Sequence, residues 1–315
     1  MRGRGPPERE DYGKMPGGVM LPGTKAGTDV TLQTTASSEM CRDSGNASAQ
    51  GTIRVPDLNV ISGAPAPGAR MEAERNRPFL IKYGKHLRSF FDRLIASSSL
   101  VPNDPVLDVR EFAWTAILRD NWQVIRDEAV RVAMQGEAAP SLATISPDHR
   151  SIAEMNKWRS FFLWGYGFPI HDNLERCPET AKIVERIPGL NSAFFSILAP
   201  GTHIPDHRGV TKGLITCHLG LIVPRDGDVR MRVDTRIVRW AEGETLVFDD
   251  TYQHEVWNDT SGTRVVLLVQ FERPLRNPGK AIAGFFLRVV RKSAFVQEAR
   301  SNISKWNDAM KALDA

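Results

Sequence analysis

Two hydrophobic periodicities divide this chain. Between residues 78 and 98 the apolar positions Phe79, Leu80, Leu87, Phe90, Phe91, Leu94 and Ile95 recur near helical spacing and predict a helix. VPNDPVLD (101–108) then reads as a turn, because Pro102 and Pro105 interrupt any regular element. Phe112, Trp114 and Ile117 lead into NWQVIRDEAVRVAMQ, where helical spacing returns with Asn121 as N-cap and Trp122, Ile125, Ala129 and Val130 on one face. The tryptophans here read as core anchors. NKWRSFFLWGYGF (156–168) reads as a strand ending in a glycine turn. CPETAKIVERIPG (177–189) reads as a short helix that opens at Pro178 and stops at Pro-Gly.

Beyond residue 190 the period becomes two. Strands are predicted over 193–198, 214–223, 229–233, 237–240, 245–248, 255–257 and 264–271, separated by turns such as RDGD and DDTYQH. In the second of these, Thr216, His218 and Gly220 share one face, and Cys217, Leu219 and Leu221 the other. In the last, Arg264, Val266, Leu268 and Gln270 alternate against Val265, Leu267, Val269 and Phe271. Short strands with tight turns predict a mainly β protein with flanking helices, its antiparallel sheet closed or sandwiched. No GxGxxG or Walker A sequence occurs, so nothing supports a nucleotide-phosphate fold.

The flanks differ from this centre. Residues 1–72 are rich in Gly, Pro, Ser and Thr and poor in large apolar residues, too few to offset the entropy of ordering. Two readings stand: a disordered tail, or a true start at Met71, where periodicity first appears. The domain is expected over 73–275 with its core at 193–274, followed by a basic helical segment, 276–315. In that segment Ile282, Phe285, Phe286, Val289 and Val290 lie opposite Arg288, Arg291 and Lys292. Packing against the domain is the expected use of this face, with peripheral membrane contact the alternative.

Composition narrows the partners. The net charge of +4 is mildly basic, and no basic run carries the interleaved aromatics of a nucleic-acid groove. Three cysteines, far apart and without a C-x-x-C pair, disfavour both a disulfide framework and a cysteine zinc site. No apolar run reaches the roughly 20 residues of a membrane-spanning helix, and no signal sequence is visible. The expected location is cytoplasmic.

The candidate chemistry lies in 194–274. Imidazoles on a β scaffold suit Fe(II), Zn(II) or Cu(II). His207 is read as following a loop and His254 a turn, positions at which a barrel mouth presents side chains; His203 and Asp206 are neighbouring alternatives. Arg264 opens a strand among aliphatic neighbours, with no same-face carboxylate in that strand. A buried guanidinium there requires an anion, and a bound carboxylate would supply it.

FSILAPGTHIPDHRG, CHLGLIVP, GETLVFDDTYQHEVWN and TRVVLLVQFERP, in this order, resemble the aspartyl/asparaginyl β-hydroxylase family of Fe(II)- and 2-oxoglutarate-dependent oxygenases, which includes bacterial lipid A hydroxylases. The resemblance is strongest over 193–274. It implies a double-stranded β-helix (jelly-roll, cupin-like) and an O2-using hydroxylase. By position, His207 and His254 would bind iron and carry catalysis. Ser196 and Arg264 would hold the distal carboxylate of 2-oxoglutarate, and His218 would lie near its metal-binding end. The usual facial triad places a carboxylate two residues after the first histidine, where this chain has Gly209. The aspartyl hydroxylases share that gap, whereas the lipid A enzymes keep an aspartate. Thr216 stands where the aspartyl hydroxylases carry an arginine for acidic ligands, and FERPLR looks more like the lipid A enzymes. The resemblance implies an aspartyl or asparaginyl residue, free or in a peptide, as substrate, with a lipid acyl chain as the alternative. A cupin-like metal- or ligand-binding protein without turnover is the competing class.

Overall fold

The computed structural model describes residues 89–133, 139–153 and 156–314. The tail 1–72, the start at Met71, Cys41 and the first half of the helix predicted over 78–98 lie outside the described residues. Residues 89–97 (α1) are helical, as the periodicity predicts.

Alternation beyond residue 190 produces two antiparallel sheets. The larger joins β1 (Val106–Leu107), β9 (Thr245–Phe248), β6 (Leu214–Ile222), β11 (Arg264–Glu272), β4 (Leu190–Leu198), β2 (Trp158–Gly165) and β3 (Phe168–Pro169), in that order. The smaller runs β5 (Thr202–His207), β10 (His254–Asp259), β7 (Asp228–Val233) and β8 (Arg236–Arg239). Successive side chains of each strand serve opposite layers. On the larger sheet, Ile197, Cys217, Leu219, Val265 and Leu267 face outward into a core. That core is roofed by α3 (Trp122–Ala133), α5 (His171–Arg176) and α6 (Pro178–Val184), which contribute Ile125, Leu174 and Val184. Phe194, Leu198 and Val266 face the other way, meeting Ile204, Met231, Val233 and Val256 of the smaller sheet, in a core that also takes Leu142 and Ile145 of α4 (Leu142–Ile145). This second core is the interior of the sandwich, the mainly β architecture expected.

Several local expectations change. Val106 and Leu107, inside the predicted turn 101–108, pair with Phe248 and Val247, since residues after Pro105 keep their N–H groups and reach the sheet edge. Asn121 does not cap α3 with its side chain, which donates instead to the Ile117 carbonyl at the end of α2 (Thr115–Asp120). Val130 is exposed, and Ile125, Glu128, Ala129 and Val132 form the buried line of α3. Glu128 turns inward because its carboxylate accepts the free N–H groups of Glu179 and Thr180 at the start of α6. The stretch before His207 is not a loop: β5 includes His207 itself, paired opposite His254.

Two helices close the chain, α7 (Gly279–Arg291) and α8 (Ala294–Asp314). The predicted face of α7 is rotated. Gly279, Ala283 and Leu287 are buried, while Phe285 faces outward. Small residues let the helix approach closely, with the Gly279 N–H donating to Ser98 Oγ just beyond α1. Cys177 and Cys217 are free, and burial pushes both thiols up to about 12, as befits core packing residues. Among the described residues no helix is long and apolar enough to cross a membrane.

Candidate active site

The strand register brings the predicted residues together at one end of the sandwich interior. His207 ends β5 and His254 begins β10, directly opposite each other, with ring centroids 4.1 Å apart. Each ring is oriented by a backbone carbonyl close by in sequence. His207 Nδ1 lies 2.8 Å from the Pro205 oxygen, and His254 Nδ1 lies 3.0 Å from the Tyr252 oxygen. A carbonyl can only accept, so Nδ1 carries the proton in both rings and each Nε2 keeps its lone pair. Burial is the main cause holding His207 down to about 4, and it also lowers His254. Both imidazoles are therefore neutral at pH 7, the form that binds a metal.

His218 has the opposite tautomer. Its Nδ1 accepts from Trp240 Nε1 at 3.1 Å, so its proton sits on Nε2. That Nε2–H is buried with no partner. Burial first, then the Arg264 charge and His254, holds this imidazole well below its usual value. It is thus a neutral donor.

Arg264 begins β11 and is 2% exposed. Its guanidinium lies over the Trp240 ring, 4.8 Å from the centroid, and its Nε and Nη1 have no hydrogen-bond partner. Burial alone pulls it down to about 9, with no compensating carboxylate among the described residues. Trp240 also stacks on His218, with centroids 5.9 Å apart. One indole therefore positions both unpaired donors. Ser196, on neighbouring β4, pairs with Val266 and shares the inner face with Arg264. Its Oγ accepts from Trp158 Nε1 at 3.0 Å, leaving its O–H to donate.

The alternatives considered for metal binding point elsewhere. His203 stacks on Trp257 and pairs with Glu255 at 2.7 Å, and Asp206 pairs with Arg232 at 2.7 Å. Among the described residues no three His, Cys, Asp or Glu side chains converge tightly enough to hold a metal ion by themselves. Near His207 and His254, the two facing Nε2 lone pairs are the donors that the geometry presents.

Sequence reasoning missed Asp250. The Gly209 N–H donates to the Asp250 carbonyl at 2.6 Å, and a Cβ at Gly209 would lie 2.2 Å from Asp250 Oδ1. The Asp250 carboxylate thus occupies the space where a side chain at 209 would begin. Oδ2 accepts from Thr216 Oγ1 at 3.1 Å and Gln270 Nε2 at 3.0 Å. Burial, reinforced by neighbouring Asp249, raises the carboxyl to about 6. Its signal was present in FDDTYQH, as the second acidic residue four positions before His254. Trp240 and Phe248 were likewise placed only as strand residues; Phe248 sets its ring edge-on to His218 and His254.

This packing makes Gly209→Asp a damaging change. The variant is expected to lose about 1–3 kcal/mol from overpacking, plus the repulsion of a second buried carboxylate. Thermal melting and Mn(II) titration check it. A variant with wild-type stability and tighter metal binding would refute the steric account, and Asp250→Gly in the same chain should relieve the clash.

Residues 119–274 match the model of the family described as Aspartyl/Asparaginyl beta-hydroxylase. The chain is 36% identical over 249 residues to the ornithine lipid ester-linked acyl 2-hydroxylase of Rhizobium tropici, covering 77% of this chain and 89% of that one. It is 28% identical over 201 residues to the human aspartyl/asparaginyl beta-hydroxylase, covering 61% of this chain but only 26% of the human protein. Among solved structures, a Pseudomonas putida prolyl-4-hydroxylase is a distant likeness, with 18% identity, 49% of this chain and 87% of that chain covered, and a TM-score of 0.32. The R. tropici match, 36% identical and covering 89% of that protein, decides the assignment together with the family model: this chain is a hydroxylase of the aspartyl/asparaginyl β-hydroxylase family.

Proposed function

We propose that this protein is an Fe(II)- and 2-oxoglutarate-dependent dioxygenase that hydroxylates an unactivated carbon of a lipid acyl chain. The observation that carries the reading is Arg264, a fully buried guanidinium with two unpaired N–H groups. An isolated buried charge is costly, and a carboxylate ligand supplies what it lacks. In this reading Arg264 and the Ser196 O–H hold the distal carboxylate of 2-oxoglutarate. The His218 Nε2–H donates toward its other end. His207 and His254 bind Fe(II) through Nε2. When bound, iron and cosubstrate supply the oxidising chemistry, in which O2 and 2-oxoglutarate give succinate, CO2 and one oxygen atom inserted into a substrate C–H bond. The chain holds these groups in fixed geometry. It also keeps water out with the apolar lining that includes Phe194, Leu198, Phe248 and Val266.

Asp250 and Thr216 favour an acyl chain over an acidic side chain. An acidic substrate requires a cation at the site. Thr216 instead spends its hydroxyl on the Asp250 carboxylate, and Lys212 and Arg273 both pair with Asp249. The R. tropici relative, named for acting on an ornithine lipid, supports the same choice. An aspartyl or asparaginyl residue is the second reading, supported by the description of the family. The free buried thiols fit a cytoplasmic location.

Succinate release from 2-oxoglutarate tests both levels. Dispersed ornithine-containing lipids are expected to stimulate it several-fold, with one oxygen atom gained in an ester-linked acyl chain by mass spectrometry. Stimulation by aspartyl peptides instead would overturn the substrate. Absence of release with every substrate, and of a charge-transfer band with anaerobic Fe(II) and 2-oxoglutarate, would leave a binding protein without turnover.

A further inference from the structure

The face formed by α1 and α7 is out of keeping with a fully solvated surface. Ile282, Phe285 and Val289 form a stripe at i, i+3 and i+7 along α7, outside its packed line, and Phe285 is 60% exposed. Arg288 and Lys292 flank this stripe, both exposed. Across the helix, Lys280, Arg288 and Arg291 line a cleft in which Glu272 is the acidic residue. On α1, Phe90 and Phe91 are exposed and packed edge to face, 5.7 Å apart.

The segment leaving His207 ties this face to the site. Its Val210 is 52% exposed. The Lys212 N–H donates to Asp92 of α1 at 3.3 Å, and a Cβ on Gly213 would lie 2.9 Å from Ala283 of α7. A metal-site histidine is therefore followed, within six residues, by anchors on both helices. Aromatic side chains beside exposed cations match the boundary between phosphate and acyl layers in a bilayer.

We propose that the α1–α7 face docks onto an anionic membrane surface. Phe285, Val210 and Phe90 enter the headgroup layer, and Arg288 and Lys292 meet lipid phosphates. Docking would bring the segment after His207 to the bilayer, where an acyl substrate resides. The inference deepens the lipid-substrate reading and rests on it for its purpose, but it is read out without turnover.

Full-length protein is sedimented with phosphatidylcholine vesicles and with vesicles carrying phosphatidylglycerol, without iron or 2-oxoglutarate. The expected result is at least tenfold stronger partitioning onto the anionic vesicles at low salt, weakened by high salt. Phe285→Ser and the double change Arg288→Glu/Lys292→Glu should each reduce partitioning by about tenfold or more, with thermal melting unchanged. No partitioning at low salt, or binding unaffected by both variants, would overturn the proposal. So would light scattering in which Phe285→Ser splits a dimer while vesicle binding persists, because the face would then join two copies of the chain. Vesicle binding without lipid hydroxylation would uphold docking and remove the lipid substrate. Hydroxylation of detergent-dispersed lipid without vesicle binding would do the reverse.

Discussion

Replacing His254 with alanine is expected to abolish metal binding and turnover together. The proposed metal site rests on two imidazole Nε2 lone pairs, and the change removes one of them. Loss of groups that merely orient a ligand typically costs about 10–100-fold in metal affinity, and loss of the ligand itself should exceed this. Anaerobic titration with Fe(II) and 2-oxoglutarate is the measurement, and the charge-transfer band should disappear. His203→Ala is the control. That ring lies against Trp257 and pairs with Glu255, so its variant should keep the band and the activity. A His254→Ala protein that retains the band, or a His203→Ala protein that loses it, would show that the metal sits elsewhere.

Arg264→Met should separate cosubstrate binding from stability. In the wild-type chain the guanidinium Nε and Nη1 are buried without partners, and the Trp240 ring faces the charge. Replacing a buried charge by an apolar side chain of similar volume is commonly neutral or stabilising by about 1–4 kcal/mol. The ligand-free variant should therefore melt at or above the wild-type temperature. Its affinity for 2-oxoglutarate should fall by about two to four orders of magnitude, since each charge-assisted hydrogen bond contributes about 1.5–3 kcal/mol. Metal binding should persist, because His207 and His254 are oriented by Pro205 and Tyr252 rather than by Arg264. A methionine variant that binds 2-oxoglutarate normally would refute the role. One that loses metal and cosubstrate equally would place Arg264 in the structural support of the whole site.

Much of this site is local information. The alternation around His218 and Arg264 tells which residues share a face without knowledge of any partner strand, because side chains on a strand switch faces at each step. With both faces buried, only the packing of the sheets shows which face is inward. The demand of Arg264 for an anion is also legible, since a guanidinium among aliphatic neighbours cannot shed its charge. Ser196, His207, His218, His254 and Arg264 share one end of the sandwich because β5 meets β10, and β11 meets β4 and β6.

Asp250 and the α7 face were harder to read for a different reason. Gly209 looks in sequence like a missing carboxylate. Only the approach of the turn after β9 shows that a carboxylate fills the adjoining space. On α7 the bulky residues look like the packing face. The helix instead sits on Gly279, Ala283 and Leu287, because small side chains allow closer contact with the backbone around Ser98 and Gly213.

The sequence by itself determined the strand alternation, the faces that His218 and Arg264 share with their neighbours, and the lack of a same-face carboxylate in the strand of Arg264. Each follows from local periodicity or from the chemistry of one side chain. Only the tertiary structure decided the cross-strand pairing of His207 with His254 and the proton positions on the three imidazoles. It also decided the indole shared by His218 and Arg264, and the carboxylate beside Gly209. These depend on the register between segments far apart in the chain, which no local pattern contains.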